Sequence, residues 1–384
     1  MIMRKIFVNA SPFIILLLLI SISGCPAKKV YVDSSPIPKS QFKKVNIIGD
    51  NHKSGIFDVS VEYDEGGNGW MAYSRVELPK YVETHVARSI NHGKNWKYVT
   101  TVNKSIDGTF NYLGKKLKGS WRSETSTLLY DPGDTPARRW KLFSHRYPAK
   151  PPFKKGSHLY AEGWIEYKYA LSPKGPWSKP IRLFGKRENK CLIDLSAIHP
   201  SLKNILWYNE IGSIVVNGVI YLSLDASTTP TGLGEWRKRK IVLVSSKDHG
   251  KSWRYVGTLT DYNDANNIGY LVLTGSSLVK EGKRLYLLIS PSGAKGIFKK
   301  NKAHDGTIVV EIEDITRAKL KRDSNGRLAI HKWIKPSLHS GGLGDYDEKN
   351  TYGGILFSQI NTSIRTKNAD FFQVYSTGEN IIKH

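Results

Sequence analysis

Four carboxylates, Asp58, Glu124, Glu162 and Glu210, lie at or beside the ends of strand-like runs, in the company of Arg75, Arg122, Arg146, His145 and Tyr208. Several carboxylates facing one pocket is what cleavage of a glycosidic bond needs. One must be protonated to donate to the leaving oxygen, and another ionised to act as base or nucleophile. Burial and like charges push such pKa values apart. An Arg among them could hold an acidic sugar through a bidentate pair. The run Trp140–Tyr147 ends in His145-Arg146-Tyr147 and enters a loop from Pro148 to Gly156, with Arg122-Ser123-Glu124 just upstream. Those residues must be gathered by the elements that carry them, and the sequence contains a repeat that predicts those elements.

Ser246-Lys247-Asp248-His249-Gly250-Lys251-Ser252-Trp253 has the form S-x-D-x-G-x-x-W. Ser89-Ile90-Asn91-His92-Gly93-Lys94-Asn95-Trp96 repeats it with Asn for Asp. Each copy follows a strand-like run, and the tails Lys97-Tyr98-Val99 and Arg254-Tyr255-Val256 match. An Asp or Asn side chain bonds backbone N–H groups a few residues on, Gly accepts positive φ, and Trp covers the turn with apolar surface. A unit recurring at this distance predicts a β-propeller. The phrase resembles the Asp-box of sialidases and other carbohydrate-active propellers. The resemblance implies a structural turn between the outer two strands of a blade, away from the active face. Tyr167–Trp177 resembles a strand-turn-Trp phrase of five-bladed arabinanase and fructosidase families, a shortened version of the same box in the second blade.

Short β-branched and aromatic runs separated by Gly, Asp, Asn and Pro fill the chain, and no long segment has a helical period. They group into fours: Phe57–Tyr63, Trp70–Ser74, Thr84–Ser89 and Trp96–Thr101; Thr125–Tyr130, Trp140–His145, Gly163–Leu171 and Ile181–Phe184; Gly212–Val216, Val219–Leu224, Lys240–Ser245 and Trp253–Leu259; Gly275–Val279, Arg284–Ile289, Thr307–Ile312 and Arg327–Trp333. A fifth group starts near Gly344 and lacks a last strand, which Val45-Asn46-Ile47-Ile48 could supply to close the ring. The expected fold is therefore all-β, a five-bladed propeller over residues 46–384. Six blades is the alternative, because Glu188–Leu206 has room for a strand pair.

In a propeller, strand-one starts, strand-two ends and strand-three starts reach one face. That rule selects Asp58, Arg75 and Glu77; Arg122, Glu124, His145, Arg146 and Glu162; Tyr208, Glu210 and Asp225; Ser276, Ser290 and Ser292; and His339, Asp345, Asp347 and Gln359. Resemblance to five-bladed hydrolases implies Asp58 as base, Glu124 as positioning carboxylate and Glu210 as acid, with Glu162 competing for the acid role. Arg75, Arg122, His145, Arg146 and Tyr208 are then the expected substrate-binding residues. The sialidase pattern fits less well: Tyr73–Pro79 only loosely echoes that family's early Arg motif, and Tyr208 and Glu210 share one strand. Structural salt bridges between blades are the competing account of every residue named.

Residues 1–24 carry Arg4 and Lys5, an apolar run from Phe13 to Ile22, and Ile22-Ser23-Gly24 before Cys25. This resembles the lipobox of bacterial lipoproteins and implies lipidation at Cys25 and a place in the cell envelope, at the outer membrane or cell surface. Residues 25–45, rich in Pro, Ser and Lys, are expected to form a tether. Cys191 is the other cysteine, so no disulfide within the mature chain is expected. The chain has 58 Lys+Arg against 33 Asp+Glu, a net charge of +25, yet no nucleic-acid motif. An oligosaccharide or acidic glycan and, through the lipid, a membrane are the expected partners of a monomer. No cofactor motif is present, and the resemblance allows one Ca2+ in the central channel. The functional expectation is a surface-anchored glycoside hydrolase. The alternatives are a non-catalytic glycan-binding propeller, for which the ten Trp and twenty Tyr offer stacking faces, and a protein-interaction propeller.

Overall fold

Five separate sheets form, one for each predicted strand group. The computed structural model describes residues 41–154, 157–186, 189–229, 239–293, 304–335, 340–342, 344–349, 353–361 and 363–382. The expected signal segment, Cys25 and His339 lie outside these residues. Blade one comprises Ile56–Tyr63, Gly69–Glu77, Tyr81–Ser89 and Trp96–Asn103, from the channel outwards. Blade two comprises Lys115–Tyr130, Trp140–Ala149, Trp164–Ala170 and Ile181–Gly185. Blade three is Trp207–Val216, Val219–Ser227, Lys240–Ser246 and Arg254–Thr260. In blade four, Val272–Glu281, Arg284–Ser292 and Thr307–Asp314 are followed by Lys319–Leu320 and Ile330–Ile334, which both pair with Thr307–Asp314. Blade five has Ser340–Gly342 and Tyr346–Asp347 innermost, then Gly354–Ile360 and Phe372–Ser376. The fold is a five-bladed β-propeller. The segment that had room for a sixth blade instead holds a one-turn helix, Leu195–Ile198, and a 3-10 turn, Pro200–Leu202.

Alternation along each strand builds the core. Ile241 and Leu243 pack with blade four residues such as Leu278 and Ile308, while their neighbours Val242 and Val244 pack with Phe143 and Ile165 of blade two. Equivalent clusters fill the other seams: Val279, Tyr286 and Phe357 between blades four and five, Met71, Tyr73 and Val374 between five and one, and Trp70, Val86 and Leu142 between one and two.

Ring closure differs in detail from the expectation. Lys43–Lys44 pairs antiparallel with Phe372–Ser376 and supplies the outermost strand of blade five. The Val45 N–H donates to Val374 O over 2.8 Å, so the propeller begins a few residues before position 46. Ile47–Ile48 then crosses to blade one and runs parallel to Trp96–Asn103. One segment thus ties the two blades of the closing seam and leaves blade five no open edge there.

Both copies of the repeated phrase join third and fourth strands. In blade three, Asp248 Oδ1 accepts from Ser252 N (2.8 Å), Lys251 N (3.1 Å) and Ser246 Oγ (2.7 Å). Gly250 has φ +92°, and the Trp253 indole N–H donates to Gly250 O over 3.1 Å. In blade one, Asn91 Oδ1 accepts from Asn95 N over 2.9 Å, with Gly93 at φ +75°. The blade-two phrase does the same work with Trp177, whose indole N–H donates to Pro173 O over 3.2 Å.

A hairpin beside the mouth was not among the expected elements. The inner strand of blade two is 16 residues long, and its first half pairs with Ile106–Tyr112 to form an added hairpin.

Candidate active site at the channel mouth

The innermost strands of blades one to four each break register at the same place. Phe57 pairs with Ser74 and Ser60 with Ala72, leaving two residues opposite one. The same happens between Glu124 and Thr127, between Asn209 and Gly212, and between Thr274 and Ser277. The first bulged residues are Asp58, Thr125, Glu210 and Gly275, with φ of +49°, +51°, +49° and +65°. A β-bulge re-aims side chains, and here it turns them towards the axis. Positive φ at three non-glycine residues is backbone strain gathered at one site.

The bulges are bonded in series around the ring. The Thr125 N–H donates to Ser74 Oγ of blade one over 3.3 Å. The Glu210 N–H donates to Thr125 Oγ1 of blade two, also over 3.3 Å. The Gly275 N–H of blade four donates to Glu210 Oε2. Residues of these four bulges line one recess on the axis, together with Ser60, Thr127, Ser277 and Gly344.

Asp58 and Glu210 both open on that recess. Ser74 donates to Asp58 Oδ2 over 3.0 Å, whereas Oδ1 is buried with no hydrogen-bond partner. Burial, and after it the nearby charge of Glu124, push Asp58 up to about 7. Burial, and then Asp225, push Glu210 up to about 8 against the pull of Arg239. The Thr274 hydroxyl contacts Glu210 Oε2 and Asp225 Oδ2 alike. It has one proton to offer two carboxylates, and the nearness of Asp225 favours the protonated form of Glu210. Asp225 is fully buried and gripped by Arg239, whose Nε lies 3.0 and 3.2 Å from its two oxygens.

Glu124 stands one residue ahead of the bulge, so Thr125, not Glu124, is the positional counterpart of Asp58 and Glu210. It still belongs to the cluster, because its charge acts on Asp58. Burial raises its own pKa, opposed by Arg122 and the Tyr147 hydroxyl. Tyr160 lies within the electrostatic reach of Glu124, Glu210, Arg122 and Arg239, and its ring packs 4.9 Å from Trp207.

The remaining predicted residues lie elsewhere or do other work. Glu162 pairs with Lys186 at 3.1 Å on a 3-10 turn and does not join the cluster. Arg75 donates to Glu77 (2.8 Å) and to Asn51 O (2.7 Å). Arg122, 1% exposed, donates to Lys80 O (3.0 Å), Pro79 O and His158 Nε2 (2.9 Å), and so pins a blade-one turn. Arg146 donates to Lys104 O over 2.8 Å. Strand alternation sends its neighbour His145 to the other face, where the ring is stacked 6.1 Å from Trp207 and 0% exposed. Burial pushes His145 down to about 3, so it is neutral and out of reach of a substrate. Tyr208 is buried in the core between blades two and three with Leu195 and Leu202, facing Asp194 rather than pairing with Glu210. Asp345 and Asp347 stitch the ring: Asp345 accepts from Val61 N (2.6 Å) and Ser277 Oγ (2.7 Å), and Asp347 from the Tyr63 hydroxyl (2.8 Å).

In the sequence Arg239 stands only as one of the run Arg237-Lys238-Arg239-Lys240. Sequence reasoning missed Thr274, Thr125, Tyr160 and Trp207 altogether. An isolated Arg or Thr carries no local signal of its place; only the register breaks, once known, point to these positions.

Below the recess, Thr127 Oγ1 lies 3.3 Å from Ser60 Oγ and 2.8 Å from Ser213 Oγ. Beside this belt, both Asp345 oxygens accept hydrogen bonds, from Val61 N and Ser277 Oγ. Asp131, Asp134 and His249 also converge, at the seam of blades two and three. There the buried Lys141 ammonium lies 3.0 Å from Asp131 and 2.8 Å from Asp134 and supplies the positive charge.

No protein-family model and no curated protein matches the chain. Solved structures do. The catalytic domain of a Coprinopsis cinerea GH62 alpha-L-arabinofuranosidase is similar at 9% identity and a TM-score of 0.50, over 87% of this chain and 95% of that one. The Bombyx mori GH32 beta-fructofuranosidase BmSUC1 is similar at 10% identity and a TM-score of 0.50, over 87% of this chain and 61% of that one. The likeness is one of fold.

Proposed function

We propose that the protein is a glycoside hydrolase whose reaction centre is the recess between Asp58 and Glu210. The observation that carries this reading is that two carboxylates from different blades occupy equivalent bulges, open on one recess and have raised pKa values of about 7 and 8. Glu210, the more strongly raised, holds its proton at neutral pH and donates it to the leaving oxygen. Its Oε2 is fixed by Thr274 and the Gly275 N–H, which orients the acid. Asp58, held through Oδ2 by Ser74, is the base or nucleophile. Glu124 tunes Asp58 by charge. The Asp-box-like turns and the solved propeller hydrolases support the assignment to carbohydrate chemistry.

The decisive experiment is hydrolysis of a broad glycan panel by purified protein and by the Glu210→Gln and Asp58→Asn variants. Cleavage that both variants lose supports the proposal. No cleavage of any glycan, or cleavage that survives both substitutions, overturns it.

We further propose that Cys25 carries lipid and holds the propeller at the cell envelope, on the strength of Ile22-Ser23-Gly24-Cys25 after an apolar run. Metabolic labelling with a fatty acid tests this; label retained in Cys25→Ala contradicts it.

A further inference from the structure

The hairpin added to blade two builds a second groove, next to the mouth. Gly108, Thr109, Lys118 and Gly119 line it with Lys80, Asp107, Pro151 and Phe153, in a space of about 420 Å3. That is within the range of small-molecule sites. Gly108 and Gly119 are a cross-strand pair, and the places their side chains would take lie against Trp121, Phe110 and Ala149, on the face of the hairpin opposite Lys118. A Cβ on Gly119 would sit 2.3 Å from Ala149 O, so no other residue fits without displacing the strand beneath. Phe153 is held at φ +54°, a conformation uncommon for an aromatic residue, and stays half-buried at the groove wall.

The groove is cationic. Among the described residues that line it, the one carboxylate, Asp107, is taken by Lys80 at 2.6 Å and also faces the Tyr81 hydroxyl. Lys118 and, one pleat further out, Lys116 are exposed on one face of the hairpin, and Lys154 is exposed beside Phe153. Arg122 lies behind the wall and holds the Pro79–Lys80 turn through its two carbonyls. A flat apolar ring beside exposed ammonium groups suits a sugar ring that bears a carboxylate. Lys118 lies six residues from Glu124 on one continuous strand, roughly 20 Å along it. One chain of sugars could therefore reach both places.

We infer that this groove binds a uronate unit of an acidic glycan and feeds that chain to the mouth. The inference rests on the carbohydrate reading of the recess, but its test does not require turnover.

The experiment measures binding of an oligogalacturonate to the Glu210→Gln protein, with a neutral arabino-oligosaccharide as control, at low and high salt. The acidic ligand is expected to bind more tightly and to weaken with salt. Lys118→Glu is expected to weaken it about tenfold or more, because a like charge then faces the ligand. Phe153→Ala should weaken acidic and neutral ligands alike. Both variants should keep the parent melting temperature, since neither side chain is core. Equal affinity for the two ligands, or no effect of Lys118→Glu, overturns the inference. Acidic-glycan binding in a wild-type protein that cleaves nothing would sink the hydrolase reading and leave this one standing. Cleavage indifferent to Lys118→Glu would do the reverse.

Discussion

Asp58 and Glu210 occupy the same position in two different blades: each is the first residue of an inner-strand bulge, and each has φ of +49°. A regular strand would alternate its side chains between the two neighbouring blades. The bulge breaks that alternation and turns both carboxylates onto the axis. Most of the chemistry expected of the protein follows from this shared geometry.

If Glu210 is the acid, its loss should matter most where the leaving group is poor. Glu210→Gln keeps an acceptor for Thr274 and the Gly275 N–H, so the fold should persist. Its kcat on natural glycans is expected to fall by about 10²–10⁴-fold. On aryl glycosides with acidic leaving groups the loss should be much smaller, because little proton donation is needed. Steady-state kinetics over a leaving-group series checks this; an equal loss throughout would remove Glu210 from the acid role.

The proposed reaction requires Asp58 ionised and Glu210 protonated. With values of about 7 and 8, kcat/KM is expected to peak in a narrow bell between them. The same shifts affect stability, with a sign opposite to that of ordinary salt-bridged carboxylates. Both groups bind protons more tightly in the folded than in the unfolded state. Stability is therefore lost as pH rises from the unfolded values, near 4, through the folded ones. Glu210→Gln should raise the melting temperature at pH 8 by at least a few degrees and change it little at pH 4. Thermal melts at the two pH values decide it; equal effects at both would contradict the burial argument.

Arg122, expected from the sequence to bind substrate, and Glu162, expected to compete for the acid role, should behave differently from each other. Arg122→Ala leaves a void and strips two carbonyls and His158 of their donor, and is expected to cost about 3 kcal/mol. Glu162→Gln removes one partly exposed ion pair with Lys186 and is expected to cost less than about 1 kcal/mol, with kcat unchanged. Denaturant unfolding beside a kinetic assay separates the two. A large kinetic loss in Glu162→Gln would restore it as a site residue.

The repeated turns are predicted to matter for stability alone. Asp248→Ala removes an acceptor shared by two backbone N–H groups and should cost about 1–2 kcal/mol. Gly250→Ala places a Cβ at φ +92° and should cost about 1 kcal/mol or more. Neither should change KM, because these turns join outer strands. A changed KM at constant stability would place the turns at the substrate.

The sequence by itself determined the blades. Strand length, alternation and turn chemistry are local, and S-x-D-x-G-x-x-W marks where the third and fourth strands meet whatever surrounds it. Asp58 and Glu210 were legible as well, because strand starts face the mouth in any propeller. Only the tertiary structure decided which charges belong together. Arg146 and His145 are adjacent in sequence, yet the pleat sends one towards blade one and buries the other against Trp207. Arg239 reads as one of a run of cations and becomes the grip on Asp225, beside Glu210. Register breaks and contacts between blades set those outcomes. Both depend on residues far apart in the chain, and no local pattern of residue types encodes them.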